Sequence, residues 1–176
     1  MHIWLPVDRL VRLATTIALP ACVIAWASAP VEAGLLGKMV SGAAGKGGKK
    51  TYDANTLAPP MLRQCLLTAH KIDVASAELD AKKLKLASDR EVLMREAKKI
   101  KDSGRATEKN VADYRAKEKS FNDSVDAFNS KVNGTKAVQK VFNQDCAGKR
   151  YYDSDMNAVL AELPPDVRRA AEQQKH

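Results

Sequence analysis

A chain of 176 residues is long enough for one domain with a sizeable core, yet aromatic residues make up only 5% of it, thin for an ordinary globule. The net charge is +8, but acids and bases are interspersed along most of the chain, and no aromatic and basic interleaving of the nucleic-acid-binding kind is present. No nucleic-acid partner is expected.

The first 33 residues read as a secretory signal peptide. Arg9 and Arg12 precede the apolar run LATTIALPACVIAWASA, which ends in small residues. Cleavage is expected after Ala33, within Val31-Glu32-Ala33, leaving Gly34 as the new N-terminus. Cleavage after Ala29 is the alternative, disfavoured because Pro30 would follow the cut. Leu19-Pro20-Ala21-Cys22 approximates a lipoprotein box, but Pro20 does not fit it and the residues after Cys22 stay apolar. A permanent membrane anchor is the other reading, and the apolar run is slightly short of the ~20 residues a spanning helix needs. The chain is therefore expected in the periplasm or secreted.

Residues 34–60 follow as a basic, glycine-rich arm. Gly34 to Lys50 holds four lysines, no acid and six glycines, a composition that favours disorder. Lys38, Lys46, Lys49 and Lys50 are the candidate contacts to an anionic membrane surface or a negatively charged envelope polymer. In the membrane version, Leu35, Leu36, Met39 and Val40 share one face of a short amphipathic helix.

Two long seams come next. From Leu62 a three-four alternation runs through Cys65, Ala69, Ile72, Ser76, Leu79, Lys83, Leu86, Arg90, Leu93, Ala97 and Ile100. A second runs from Val111 through Tyr114, Glu118, Phe121, Val125, Phe128, Val132, Thr135, Gln139 and Phe142 to Cys146. Between them Ser103-Gly104 can end one helix and Thr107 can cap the next. The expected fold class is all-α: an antiparallel coiled-coil hairpin, with an arm about 50 Å long at 1.5 Å per residue.

The register follows from the short break alone. Pairing Ile100 with Val111 and stepping outward sets Ala97 opposite Tyr114, Leu86 opposite Val125, Ser76 opposite Thr135, Ile72 opposite Gln139 and Ala69 opposite Phe142. The layer at the open end is Cys65 opposite Cys146. Independently, removal of the signal leaves two cysteines in an oxidising compartment, which predicts a disulfide. Flanking charges agree in part: Asp73 with Lys136, Glu96 with Lys117 and Lys101 with Glu108 attract, whereas Lys82 with Lys131 repels.

Beyond Cys146, Asp153-Ser154-Asp155 is a capping cluster for a short helix bearing Met156, Val159, Leu160 and Leu163, which Pro164-Pro165 stops. Leu66, Leu67, Val74, Val138 and Val141 are apolar and off the seam, so they are the expected seat of that helix. Residues 164–176 are expected to form a tail with at most a frayed turn or two.

No catalytic chemistry is legible. His2 leaves with the signal, His70 falls on the outer face of the first helix and His176 ends the chain, so no metal or nucleophile spacing exists. No CxxC and no phosphate-cradling glycine loop occurs. The expectation is a non-enzymatic protein without cofactor or metal, acting through a protein partner in the cell envelope.

Two resemblances can be named on these residues. The early helix cysteine, the long charged hairpin and the return segment FNQDCAGKRYYDSD resemble a group of uncharacterised exported bacterial proteins with a cysteine-clasped coiled coil, over roughly Met61 to Leu163. That resemblance implies no known activity. In outline the basic, exported hairpin also resembles the Skp-type periplasmic holdase chaperones, which implies binding of unfolded outer-membrane proteins. Those chaperones trimerise through a small β-containing body, and no alternating strand pattern is found here.

Overall fold

The computed structural model describes residues 31, 34–42, 49–103 and 107–173. The expected signal cleavage point, Cys22, Lys46, His2 and His176 lie outside the described residues. The chain is all-α: α1 spans Pro59–Asp102, α2 Glu108–Asp145, α3 Asp153–Glu162 and α4 Pro165–Gln173. Two short strands, β1 (Val40–Ser41) and β2 (Arg150–Tyr151), join a 3-10 turn at Leu35–Lys38. The chain divides into two compact units, and the two long helices contribute to both.

Helix ends follow the local chemistry. Prolines at the first two positions of α1 give up N–H groups that would have no intrahelical acceptor there. At its other end the Ser103 hydroxyl donates to the Ile100 carbonyl at 3.0 Å. Thr107 caps α2 as expected, its Oγ1 accepting from the Asn110 amide at 3.2 Å.

The smaller unit contains residues 83–127 as described. Leu86, Ala97, Tyr114, Phe121 and Val125 are buried along its seam, while Lys83 and Arg90 stay exposed. Lys117 Nζ reaches Glu96 Oε1 at 2.7 Å, the cross-helix pair expected from the register. Exposed pairs of this kind contribute ~0 to 1 kcal/mol each. Eight of this unit's seam residues are aliphatic or aromatic, so burial of a single narrow stripe holds it.

The larger unit carries the main core. Leu62, Cys65, Leu66, Ala69 and Ile72 of α1 meet Phe142 of α2 and Cys146 just beyond its end in one buried cluster, with Met156, Val159, Leu160, Leu163, Val167 and Ala171 from the C-terminal segment. Cys65 and Cys146 are joined, with Cα atoms 5.7 Å apart, at the layer the stepping had reached. Lys131 pairs with Glu78, so the repulsion expected between Lys131 and Lys82 is accompanied by an attractive partner.

Three expectations need correction in this unit. The arm at residues 34–60 is not free chain where it is described: Leu35 (0% exposed), Met39 (6%) and Leu57 (3%) belong to the core. A two-helix seam leaves the flank of the disulfide layer uncovered, and these side chains cover it. Gly34 and Gly42 sit at φ +76° and +98°, turn conformations that L side chains rarely adopt.

The second correction concerns the seat of the C-terminal helix. Leu66 is buried and Leu67 packs against the core, but Val74, Val138 and Val141 remain 46%, 43% and 52% exposed. The direction of exit decides this. After α2, the Gly148 amide donates to the Lys38 carbonyl at 2.8 Å, the Arg150 amide to Asn55 at 2.8 Å and the Leu57 amide to Arg150 at 2.8 Å. Backbone pairing on both sides of β2 thus fixes where α3 starts, and only one flank of the hairpin is in reach.

Third, the tail is a helix. α4 buries Val167 and Ala171, and Arg168 holds it to α3 by donating to the carbonyls of Leu160 (2.9 Å), Ala161 (2.8 Å) and Leu163 (3.3 Å). These carbonyls lie at the C-terminal end of α3, where intrahelical donors run out, and the Leu163 amide also reaches the Leu160 carbonyl at 3.3 Å.

The layer of Ser76 and Thr135 shows how imperfect the seam is. The Thr135 hydroxyl donates to its own helix at the Lys131 carbonyl, 2.9 Å away, and the buried Ser76 Oγ has no partner. An unsatisfied buried hydroxyl costs about 1–3 kcal/mol, and alanine also has the better helix propensity. Ser76→Ala is therefore expected to leave stability unchanged or raise it by about 1 kcal/mol, read from the urea midpoint. A loss above about 1 kcal/mol would show that the hydroxyl is bonded in solution.

Candidate functional site

Of the four tyrosines, Tyr52, Tyr151 and Tyr152 lie outside the two long helices, and two of them build a polar cluster with residues far away in sequence. Asp155, on the first turn of α3, is buried at 5% exposure. Its Oδ1 accepts from Lys50 Nζ, and its Oδ2 accepts from the Tyr52 hydroxyl at 2.9 Å. Lys50 Nζ also stands 5.7 Å from the centre of the Tyr152 ring, and Tyr52 meets that ring edge-on, with centroids 5.7 Å apart. The Tyr152 hydroxyl closes the cluster by donating to the Thr51 carbonyl at 3.1 Å and accepting from the Thr51 amide at 2.9 Å.

Asp155 is thus not the helix cap expected of it. α3 has no side-chain cap at Tyr152, and the buried carboxylate is neutralised by Lys50 instead. An unpaired carboxylate at this depth would be costly, so the cluster fastens residues 50–52 to α3. Sequence reasoning missed it because Lys50 and Asp155 are 105 positions apart. The one available signal was the concentration of tyrosine outside the seams.

Three of the four candidate anion contacts lie among the described residues. Lys38 is half-buried and Lys49 exposed, while the charge of Lys50 is already met by Asp155. Of the apolar face a membrane helix would need, Leu35 and Met39 are buried in the protein. No described helix is long and apolar enough to cross a membrane.

His70 does not lie on an open outer face. Its Nε2 is 3.3 Å from Asp166 Oδ2, which ties α1 to the start of α4. The Asp166 carboxyl is held below its usual range first by its own backbone N–H and that of Val167, with His70 adding to the effect. Asp53 is likewise lowered, first by the Thr56 hydroxyl and then by the Asn55 amide.

The alkaline groups move together. The Asp155 hydrogen bond raises both Tyr52 and Lys50, while burial raises Tyr151 and Tyr114. A group whose pKa is higher folded than unfolded keeps its proton better in the native state. The stability it contributes is complete below the unfolded value and is lost as pH rises through the folded one. The melting midpoint is therefore expected to hold from pH 8 to about 10 and to fall above it, where tyrosine and lysine lose their protons in the unfolded chain. Asp155→Asn should make that fall shallower, because it removes the leading cause at Lys50 and Tyr52. A midpoint flat to about pH 11 would contradict the assignment.

Among the described residues no group of three or more His, Cys, Asp and Glu is placed to hold a metal. The concavities described on the smaller unit are open grooves, of about 260 Å³ beside Leu93 and Phe121 and about 250 Å³ beside Ile100 and Tyr114. Among the described residues, Val138 and Val141 form an exposed apolar pair one turn apart on α2 that internal packing does not use. No family model matches this chain, and no curated protein or solved structure is similar to it at a significant level.

Proposed function

We propose that the protein is an exported, non-enzymatic component of the cell envelope that acts by binding another protein, in a structural or adaptor role. The observation that carries this is the pair Val138 and Val141. Both are apolar and about half exposed, on a helix face that the C-terminal helices pass by. Single exposed apolar residues are ordinary, but a pair one turn apart, with Val74 of α1 also 46% exposed, offers an anchor for a partner. The disulfide, the Asp155 cluster and the Arg168 cap hold the unit beneath it.

A photo-crosslinking residue at Val141, compared with one at the exposed Glu91, tests the proposal in intact envelopes. One defined protein adduct is expected at Val141, absent at Glu91 and lost when Val138→Asp is added. No adduct at Val141 sinks the adaptor role. Many unfolded outer-membrane proteins captured at both positions, together with delayed aggregation of such a client by the purified protein, would move the function to a holdase.

A further inference from the structure

Gly34 is bound where a new N-terminus could be held. Its backbone nitrogen donates to Asp73 Oδ1 at 2.8 Å, across 39 positions. From that point the chain is tied down: Leu35 is fully buried, Met39 is in the core and β1 pairs with β2 in parallel, Val40 beside Arg150 and Ser41 beside Tyr151. Gly34 itself takes φ +76°, and a Cβ there would meet nothing within 4 Å, so the demand for glycine is conformational and not steric.

We infer that cleavage between Ala33 and Gly34 releases an amine that Asp73 captures, so that processing fastens the mature N-terminus to α1. This rests on the export reading above and not on the adaptor role. In the cut, a signal-peptidase-type protease uses one water: the peptide C–N bond breaks, hydroxyl goes to the Ala33 carbonyl carbon and hydrogen to the Gly34 nitrogen. At neutral pH the acid formed loses its proton and the amine gains one. The Gly34 nitrogen, which offers Asp73 one amide N–H in the uncut chain, becomes an ammonium group with three donors and a full positive charge. Charge-assisted bonds are roughly twice as strong as neutral ones, so the contact strengthens at the moment the leader leaves. Capture of a terminal amine is a known recognition mode, and here the side-chain carboxylate of Asp73 is the acceptor. Val31, which packs against the core at partial exposure in the uncut chain, leaves with the signal.

Two measurements decide it. Intact-mass and N-terminal sequencing of protein recovered from the envelope or medium is expected to find Gly34 first. A chain beginning at Pro30 overturns the inference while export stands, and a chain retaining Met1 overturns both. Second, Asp73→Asn is placed in oxidised protein beginning at Gly34 and in protein beginning at Val31. The midpoint is expected to fall by about 3–6 °C in the first and no more than half as much in the second. Acetylating the Gly34 amine, with every side chain unchanged, should reproduce the larger loss. Equal losses in the two lengths, or no effect of acetylation, overturn the capture.

Discussion

Reducing the Cys65–Cys146 bond is expected to lower the melting midpoint by on the order of 10 °C while most helicity survives at low temperature. The two cysteines are 81 positions apart, and opening a loop of that size returns to the unfolded chain entropy equivalent to on the order of 4 kcal/mol. Little is lost on the native side. Cys65 is fully buried and Cys146 is 4% exposed, in a core cluster that also holds Leu62, Leu66 and Ala69, and those apolar contacts do not depend on the bond. The seams continue to specify helix pairing in the reduced chain. Hydrogen exchange should therefore quicken first near Ala69, Ile72 and Gln139 and stay unchanged near Tyr114 and Phe121, where the short connection keeps the helices together. Coincident melts for oxidised and reduced protein, measured by circular dichroism at equal concentration, would show that the bond contributes nothing.

Phe142→Ala is expected to cost about 3–5 kcal/mol, the largest effect of any single side chain in the molecule. Phe142 is 1% exposed, and it is the largest of the fully buried residues. Its ring fills the layer next to the disulfide opposite Ala69, whose small side chain cannot grow into the space, so a cavity remains. A protein of this size has roughly 5–15 kcal/mol of stability in total, and the loss would be a large share of it. Val141→Ala, one residue away but 52% exposed, should stay within about 0.5 kcal/mol. The contrast isolates burial from helix propensity. Urea unfolding of the two variants provides the measurement, and a Phe142→Ala cost below about 1 kcal/mol would mean that the layer relaxes around the gap. In the reduced protein the cost should change, because Phe142 and Cys146 lie one turn apart and neighbouring sites do not act independently.

Local repetition decided what could be read from the residues alone. The seam positions recur every three and four residues over both long helices, and each is a statement about one helix face, independent of what packs elsewhere. Buried Leu79, Leu86, Ala97, Phe121 and Val125 sit where that repeat put them. The register was equally local in origin, because a short break sets the first layer and every later layer follows by counting until Cys65 meets Cys146.

The short segments had no such repeat to read. Leu35 and Met39 within a glycine-rich stretch carry the same apolar potential whether they face lipid, solvent or the flank of a coiled coil. Val138 and Val141 could have received α3 as well as Leu66 could. Those choices are settled by reach and by backbone pairing: Gly148 with Lys38, and Arg150 with Asn55 and Leu57, aim the chain after α2 toward one flank. Asp155 then turns inward to Lys50 and Tyr52 instead of capping its helix, because the segment that brings them is already fastened beside it. Periodicity in the sequence determined the paired helices, their register and the disulfide. Contacts between distant, non-repeating segments, which no local pattern encodes, were decided only in the tertiary structure.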